Sequence, residues 1–232
     1  MLQELQYNNK ILSHEERVKF NDLADEMIAT FSESIDEMYK ISSEYTDMNN
    51  IHHRVSKIMY DVSVFVSYAF ADCVVLTKLF VNTSVAYEKS LLRGKLKVHL
   101  NECFKKLYGF TNQSKKVSYA AKLKEIMPLF HGPDREFARI LDDLEEISNR
   151  DSWWKDIRCA EVHMDVPVLY ESRHEEINES LVVMEIMRLI PSINRFNALL
   201  ARMNHAHMNY MFDHLSAADK SAILSNPDLL NP

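Results

Sequence analysis

Along most of this chain apolar residues recur every three or four positions, with charged and amide side chains between them, the period of helices buried on one side. The first such stretch opens at Ser13-His-Glu-Glu16, where the Ser13 hydroxyl and the Glu16 carboxylate can satisfy orphan amides at a helix start. Leu23, Met27, Phe31, Ile35, Met38 and Tyr45 then mark an amphipathic helix of up to about 30 residues. After a polar break at 46–50 comes the clearest stripe, Val55, Ile58, Val62, Phe65, Ala69, Cys73, Leu76 and Phe80, which predicts a central helix. Leu92, Leu96, Leu100, Cys103 and Leu107 form a third stripe that ends near Gly109. A loop rich in Asn, Gln and Ser follows, then a short helix around 118–130 stopped by the His-Gly-Pro at 131–133.

The second half continues in the same way. Phe137, Ile140, Leu141, Leu144 and Ile147 mark a further helix with Asp134 as its cap. Pro167 predicts a break, and the last long helix is expected from about Arg173 to Asn204. Its apolar positions are Leu181, Met184, Met187, Ile190, Ile193, Leu200 and Met203, with a kink at Pro191. Ser216-Ala-Ala-Asp219 reads as the cap of a short terminal helix. The expected architecture is all-α: four to five long helices side by side plus short ones, in a single domain over 1–232. The helical core spans about 13–206, with a short helix and tail at about 207–232.

Composition narrows the class. Only 3 Gly and 6 Pro occur in 232 residues, too few for the turns of a many-stranded sheet or for a glycine-rich phosphate loop. Kinase, dehydrogenase and α/β-hydrolase readings fall on that ground, and no cofactor is called for. The three cysteines, Cys73, Cys103 and Cys159, have neither a disulfide framework nor metal-ligand spacing, which suits a reducing compartment. With no basic and apolar leader at the N-terminus, the expected location is cytoplasmic. The stretch 62–81 is apolar enough to suggest a membrane, but Asp72 at its centre and Lys78 make it a core helix.

Charge adds a second signal. The net charge is −7, yet the stretch 89–124 holds ten Lys or Arg residues against Glu102 alone, +9 against −16 for the remainder. One reading is a phosphate-binding surface built from Arg93, Lys95, Lys97, Lys105 and Lys106, continued by Lys115, Lys116, Lys122 and Lys124. The other is a solvated face that neutralises acidic neighbours in the same fold or in a second subunit.

The candidate chemistry lies in Asp151-Ser-Trp-Trp-Lys-Asp-Ile-Arg158-Cys-Ala-Glu-Val-His163, where a fixed cation lies five residues from a titratable imidazole. Arg93 with His99 and Arg202 with His207 fit similar spacings; the late position and Trp-flanked context single out Arg158 and His163. Helical bundle plus late Arg-x4-His resembles the HEPN superfamily, whose ribonuclease members carry an Arg, four to six residues and a His. The resemblance implies a homodimer with the two motifs meeting at its interface, and metal-independent RNA cleavage. Arg158 would hold the scissile phosphate and His163 would move a proton as the 2′-hydroxyl attacks. It also implies a setting in defence or toxin–antitoxin systems, with a small nucleotidyltransferase as partner. The alternative is a non-catalytic helical interaction protein, with Arg158 paired to Glu161 or Asp156 and His163 packed at a bundle seam.

Other constellations are weaker. Glu171-Ser-Arg-His174 has the Glu-x-x-His spacing of di-iron bundles, but no second copy exists. His52-His53, His205, His207 and His214 have no acidic or Cys partners at recognised spacing and read as surface or helix-end histidines. Trp153 and Trp154 read as packing anchors, with base stacking as the other use.

Overall fold

The computed structural model describes residues 11–109, 111–129, 134–149, 166–174, 176–218 and 220–221. Among these residues every regular element is a helix: α1 His14–Glu44, α2 Ile51–Asn82, α3 Ala86–Tyr108, α4 Asn112–Lys116, α5 Tyr119–Ile126, α6 Asp134–Asn149, α7 Val166–His174 and α8 Glu179–Asp213. The protein is an all-α bundle of long helices with short ones between them. Central to it is α2, flanked by α1, α3, α5 and α8, while α6 packs on α8 and α7 on α3.

The local reasons for these bounds are visible in the caps. The Ser13 capping box forms as the sequence predicts, with Glu16 N–H on the Ser13 hydroxyl at 3.3 Å and Ser13 N–H on the Glu16 carboxylate at 2.7 Å. Asn50 caps α2 by accepting from His52 N–H. At the end of α3, Gly109 adopts φ +73°, and a Cβ there would lie 2.5 Å from the Ser114 carbonyl carbon, so only glycine fits this turn.

α1 and α2 form an antiparallel hairpin joined by 45–50. Asn21 pairs with Asn82, Lys78 with Asp25, and the Ser42 hydroxyl donates to Asp61 at 2.5 Å. The α2 stripe goes inside much as its period demands: Val55, Val62, Ala69, Cys73 and Phe80 are buried in one connected core. By length and composition this helix could cross a membrane, but half of its most apolar window is covered by neighbouring helices. The free thiols of Cys73 and Cys103 are both shifted upward, the latter to about 12, chiefly by burial, which leaves them unreactive.

Several boundaries differ from the sequence expectation. Pro167 is the second residue of α7, where a missing N–H costs nothing, and the residues before Val166 on which a break would fall lie outside the described ones. The last long helix starts at Glu179 and not near Arg173. Asn178 caps it by accepting from Leu181 N–H at 2.9 Å, and it runs past Asn204 to Asp213. Of its expected inward positions Met187, Ile190, Ile193, Leu200 and Met203 are buried, joined by Val182, Val183, Ile186, Leu189, Phe196 and Leu199, whereas Leu181 is 37% exposed and Met184 half-buried. The Asn- and Ser-rich stretch expected as loop contains α4, nucleated by a Thr111–Ser114 capping box. Asp134 is the first residue of α6, inside the helix.

A buried carboxylate ties four helix ends together. Glu179, 3% exposed at the start of α8, accepts from Leu12 N–H at 3.3 Å, from Arg17 at 2.7 Å and from Lys89. Arg17 also donates to the carbonyls of Leu12 and Val81. One cluster thus joins the beginnings of α1, α3 and α8 to the end of α2, and the N-terminal dipole of α8 favours the carboxylate there.

Candidate functional site

Arg158 and His163 lie outside the described residues. The described elements on either side are α6, docked on α8, and α7, docked on α3 through Arg173 Nη1 to the Ser90 carbonyl at 2.8 Å. The other two Arg and His pairs of similar spacing are both visible, and their side chains go to different neighbours. Arg93 is buried, while His99 Nε2 lies 2.9 Å from the Ala69 carbonyl and 3.4 Å from Cys103 Sγ. Arg202 pairs with Glu136 at 2.6 Å on the surface, whereas His207 is 4% exposed beside His52. Residues six and five apart on a regular helix point about 120° and about 140° from each other, so this divergence is the ordinary outcome.

The basic stretch is sorted by helical phase. Residues four apart on a helix share a face and residues two apart do not. Arg93 and Lys97 therefore fall together and go inside, at 5% and 4% exposure, next to the buried Ser90 and Asn101. This corrects their place in the expected phosphate-binding surface: as buried side chains under α3's neighbours they are not presented to a large ligand. Lys95 and Lys106, eleven residues apart and so in phase, face out. Lys105 is half-exposed and pairs with Glu102 at 3.7 Å.

What remains outside is still basic. Lys106 of α3 and Lys122 of α5 reach the Tyr119 ring from different helices, at 5.6 and 5.4 Å from its centroid. The ring is itself anchored by Phe65 of α2, 4.8 Å between centroids. Burial raises the Tyr119 hydroxyl above its ordinary range, so it stays protonated and a donor. Lys115 and Lys116 are exposed on α4 and Lys124 on α5. The result is an exposed cationic stretch over α3, α4 and α5 in which two lysines meet at one aromatic ring.

A second feature has no counterpart in the sequence reading. A cleft of about 700 Å³ opens between α1 and α8, with α2 as its floor. Thr30, Ser34, Tyr60, Ser63, Ser67, Asn194, Asn197, Asn204 and His205 supply its polar groups, and Phe31, Met38, Met59, Leu200 and Met208 its apolar walls. Tyr45 closes one end, stacked on Tyr60 at 6.0 Å with its hydroxyl 3.8 Å from Met208 Sδ. Burial, and after it the Tyr45 neighbour, raises the Tyr60 hydroxyl, while a hydrogen bond from Asn204 pulls the other way. The signal was present as Asn194, Asn197, Ala201 and Asn204, polar and small residues at helical spacing inside an otherwise apolar helix.

Just beyond the cleft, the His pairs expected at helix ends are in part interior. His52 packs on His207 at 5.2 Å and on Tyr210 at 6.1 Å, and His53 meets Tyr45 edge-on at 5.5 Å. Burial, followed by the His52 neighbour, lowers the pKa of His207. His174 is exposed with Nδ1 2.7 Å from the Tyr170 carbonyl, and among the described residues no group of three or more His, Cys, Asp or Glu is placed to hold a metal ion. Compared with protein-family models, with curated proteins and with solved structures, the chain matches none.

Proposed function

We propose that this protein binds RNA through the lysine-bearing side of α3, α4 and α5, and that it is a HEPN-like, metal-independent endoribonuclease acting through Arg158 and His163. The observation that carries the binding half is the convergence of Lys106 and Lys122 on Tyr119 from two helices, with Lys95 in phase along α3. Cations that track a phosphate backbone around an aromatic ring are the usual apparatus for single-stranded nucleic acid. The catalytic half rests on the Arg158 and His163 motif and on the resemblance it carries. The same resemblance supports a homodimer with two motifs at its interface.

Two measurements test the reading. Affinity for a single-stranded RNA should fall steeply with salt, and Lys106→Ala and Lys122→Ala should each lower the slope of log affinity against log salt by about 0.7. Cleavage of RNA in excess chelator should be lost in Arg158→Ala and in His163→Ala. Salt-independent or absent binding removes the surface; absent cleavage by the wild type removes the nuclease and leaves a binding protein. A non-catalytic interaction protein is the second reading. It is favoured by Tyr68, Val75 and Leu79, exposed in phase along α2 at 52%, 37% and 52%.

A further inference from the structure

The cleft between α1 and α8 plays no part in the RNA reading, and its hydrogen bonds give it a chemical bias. Thr30 Oγ1 donates to the Glu26 carbonyl at 2.9 Å and Ser34 Oγ to the Thr30 carbonyl at 2.8 Å. Each hydroxyl has one proton, so both present only lone pairs to the cleft. The amides each use one of their two N–H groups. Asn197 Nδ2 donates to Ser67 Oγ at 3.4 Å, and Asn204 is hydrogen-bonded to Tyr60. The opposite atoms, Asn197 Oδ1 and Asn204 Oδ1, are buried with no hydrogen-bond partner, and Asn204 is only 8% exposed. A buried carbonyl oxygen without a donor is a group waiting for one.

The electrostatics point the same way. Neither Lys nor Arg is among the lining residues. On α1, Glu33 and Glu37 are exposed one position from the lining residues Ser34 and Met38, which puts carboxylates along the rim. Between the polar points lie Phe31, Tyr60 and the thioethers of Met38, Met59 and Met208, which suit methylene groups and tolerate a cation at a ring face. Asn197 and Asn204 are seven residues apart on α8, about 10 Å along the axis.

We propose that this cleft binds a small organic polyamine, whose ammonium groups donate to the acceptors of Asn197, Asn204, Thr30 and Ser34 while its methylene chain lies along the methionines. The volume is that of a small-molecule site, and the rise of about 10 Å between the two Asn positions along α8 suits a chain with amines at both ends.

The test uses the full chain labelled at its methionine methyl groups and titrated with spermidine at about 0.15 M salt, where diffuse surface pairing is screened. Of the twelve methionine signals, those of Met38, Met59 and Met208 should shift, saturably and at one equivalent. Asn204→Leu should weaken binding at least tenfold. Thr30→Val, at an exposed position that carries no folding risk, should weaken it several-fold, so the result does not depend on Asn204→Leu folding. Shifts that grow without saturation, shifts elsewhere than in these three methionines, or an affinity unchanged in Thr30→Val would overturn the proposal, as would binding of adenosine monophosphate in place of the amine.

Discussion

At one end of the layer formed by α1, α2 and α8, the buried Glu179 gathers Arg17, Lys89 and the Leu12 amide. At the other, Tyr45, Tyr60, His52, His53 and His207 pack ring against ring beside the cleft. The difference teaches which end can yield. Charge-assisted hydrogen bonds inside a protein are directional and costly to break singly, because removing one partner strands the rest. Ring contacts are broad and individually small, and a side chain can re-pack within them. The charged end therefore fixes how the four helix ends meet. The aromatic end keeps a cleft that a ligand can enter without unmaking the bundle.

The comparison breaks most readily at the charged end. Glu179→Ala leaves Arg17 and Lys89 facing each other with no carboxylate between them. Those cations are 24% and 13% exposed, so part of the penalty is relieved by water. The expected cost is about 3 kcal/mol, or a melting temperature lower by roughly 6–12 °C for a domain of this size. A thermal melt of the variant within about 2 °C of the wild type would mean that the cluster is not what holds the helix ends. Tyr45→Ala probes the other end. It removes the stack on Tyr60, the edge contact with His53 and the contact with Met208, for about 1 kcal/mol. Its melt should fall by only a few degrees, and polyamine binding should change more than stability does.

The contrast between the ends was legible in the sequence only in part, for reasons that particular residues make plain. Helix existence was readable because α1 and α2 carry strong periodicity, α3 a leucine stripe, and Ser13 and Gly109 local punctuation. The phase of a basic helix was not. Counting Lys and Arg in 89–124 sums charges without asking which face each occupies, and Arg93 and Lys97 lie on the covered face while Lys95 between them does not. Whether that face is covered depends on the helices docked on α3, namely α2, α5 and α7, and that docking is a long-range matter. Glu179 was overlooked because its partners are 162 and 90 residues away. The cleft needs three helices, and the polar stripe on α8 becomes a site only when α1 stands opposite it. At Arg158 and His163 the sequence supplies the motif and the described structure supplies only its flanks.

The smallest effect separates the two ends by pH. His207 has its pKa lowered in the folded protein, first by burial and then by His52, with the hydrogen bond to the His52 backbone opposing both. In the unfolded chain it titrates near 6.5. Above that value both states are neutral and His207 contributes no pH dependence. Below it the unfolded chain takes up a proton that the folded protein resists, so stability falls as the pH drops from about 6.5 through the folded value. His207→Gln keeps a polar side chain of similar reach and removes the titration. Urea midpoints taken from about pH 7.5 down to about pH 5.5 should therefore decline more steeply in the wild type than in His207→Gln, with carboxylates elsewhere contributing equally to both. Equal slopes would place the pH sensitivity of the bundle outside the aromatic end. A steeper wild-type slope would show that the end which yields to a ligand also yields to acid, because His207 is packed there in its neutral form.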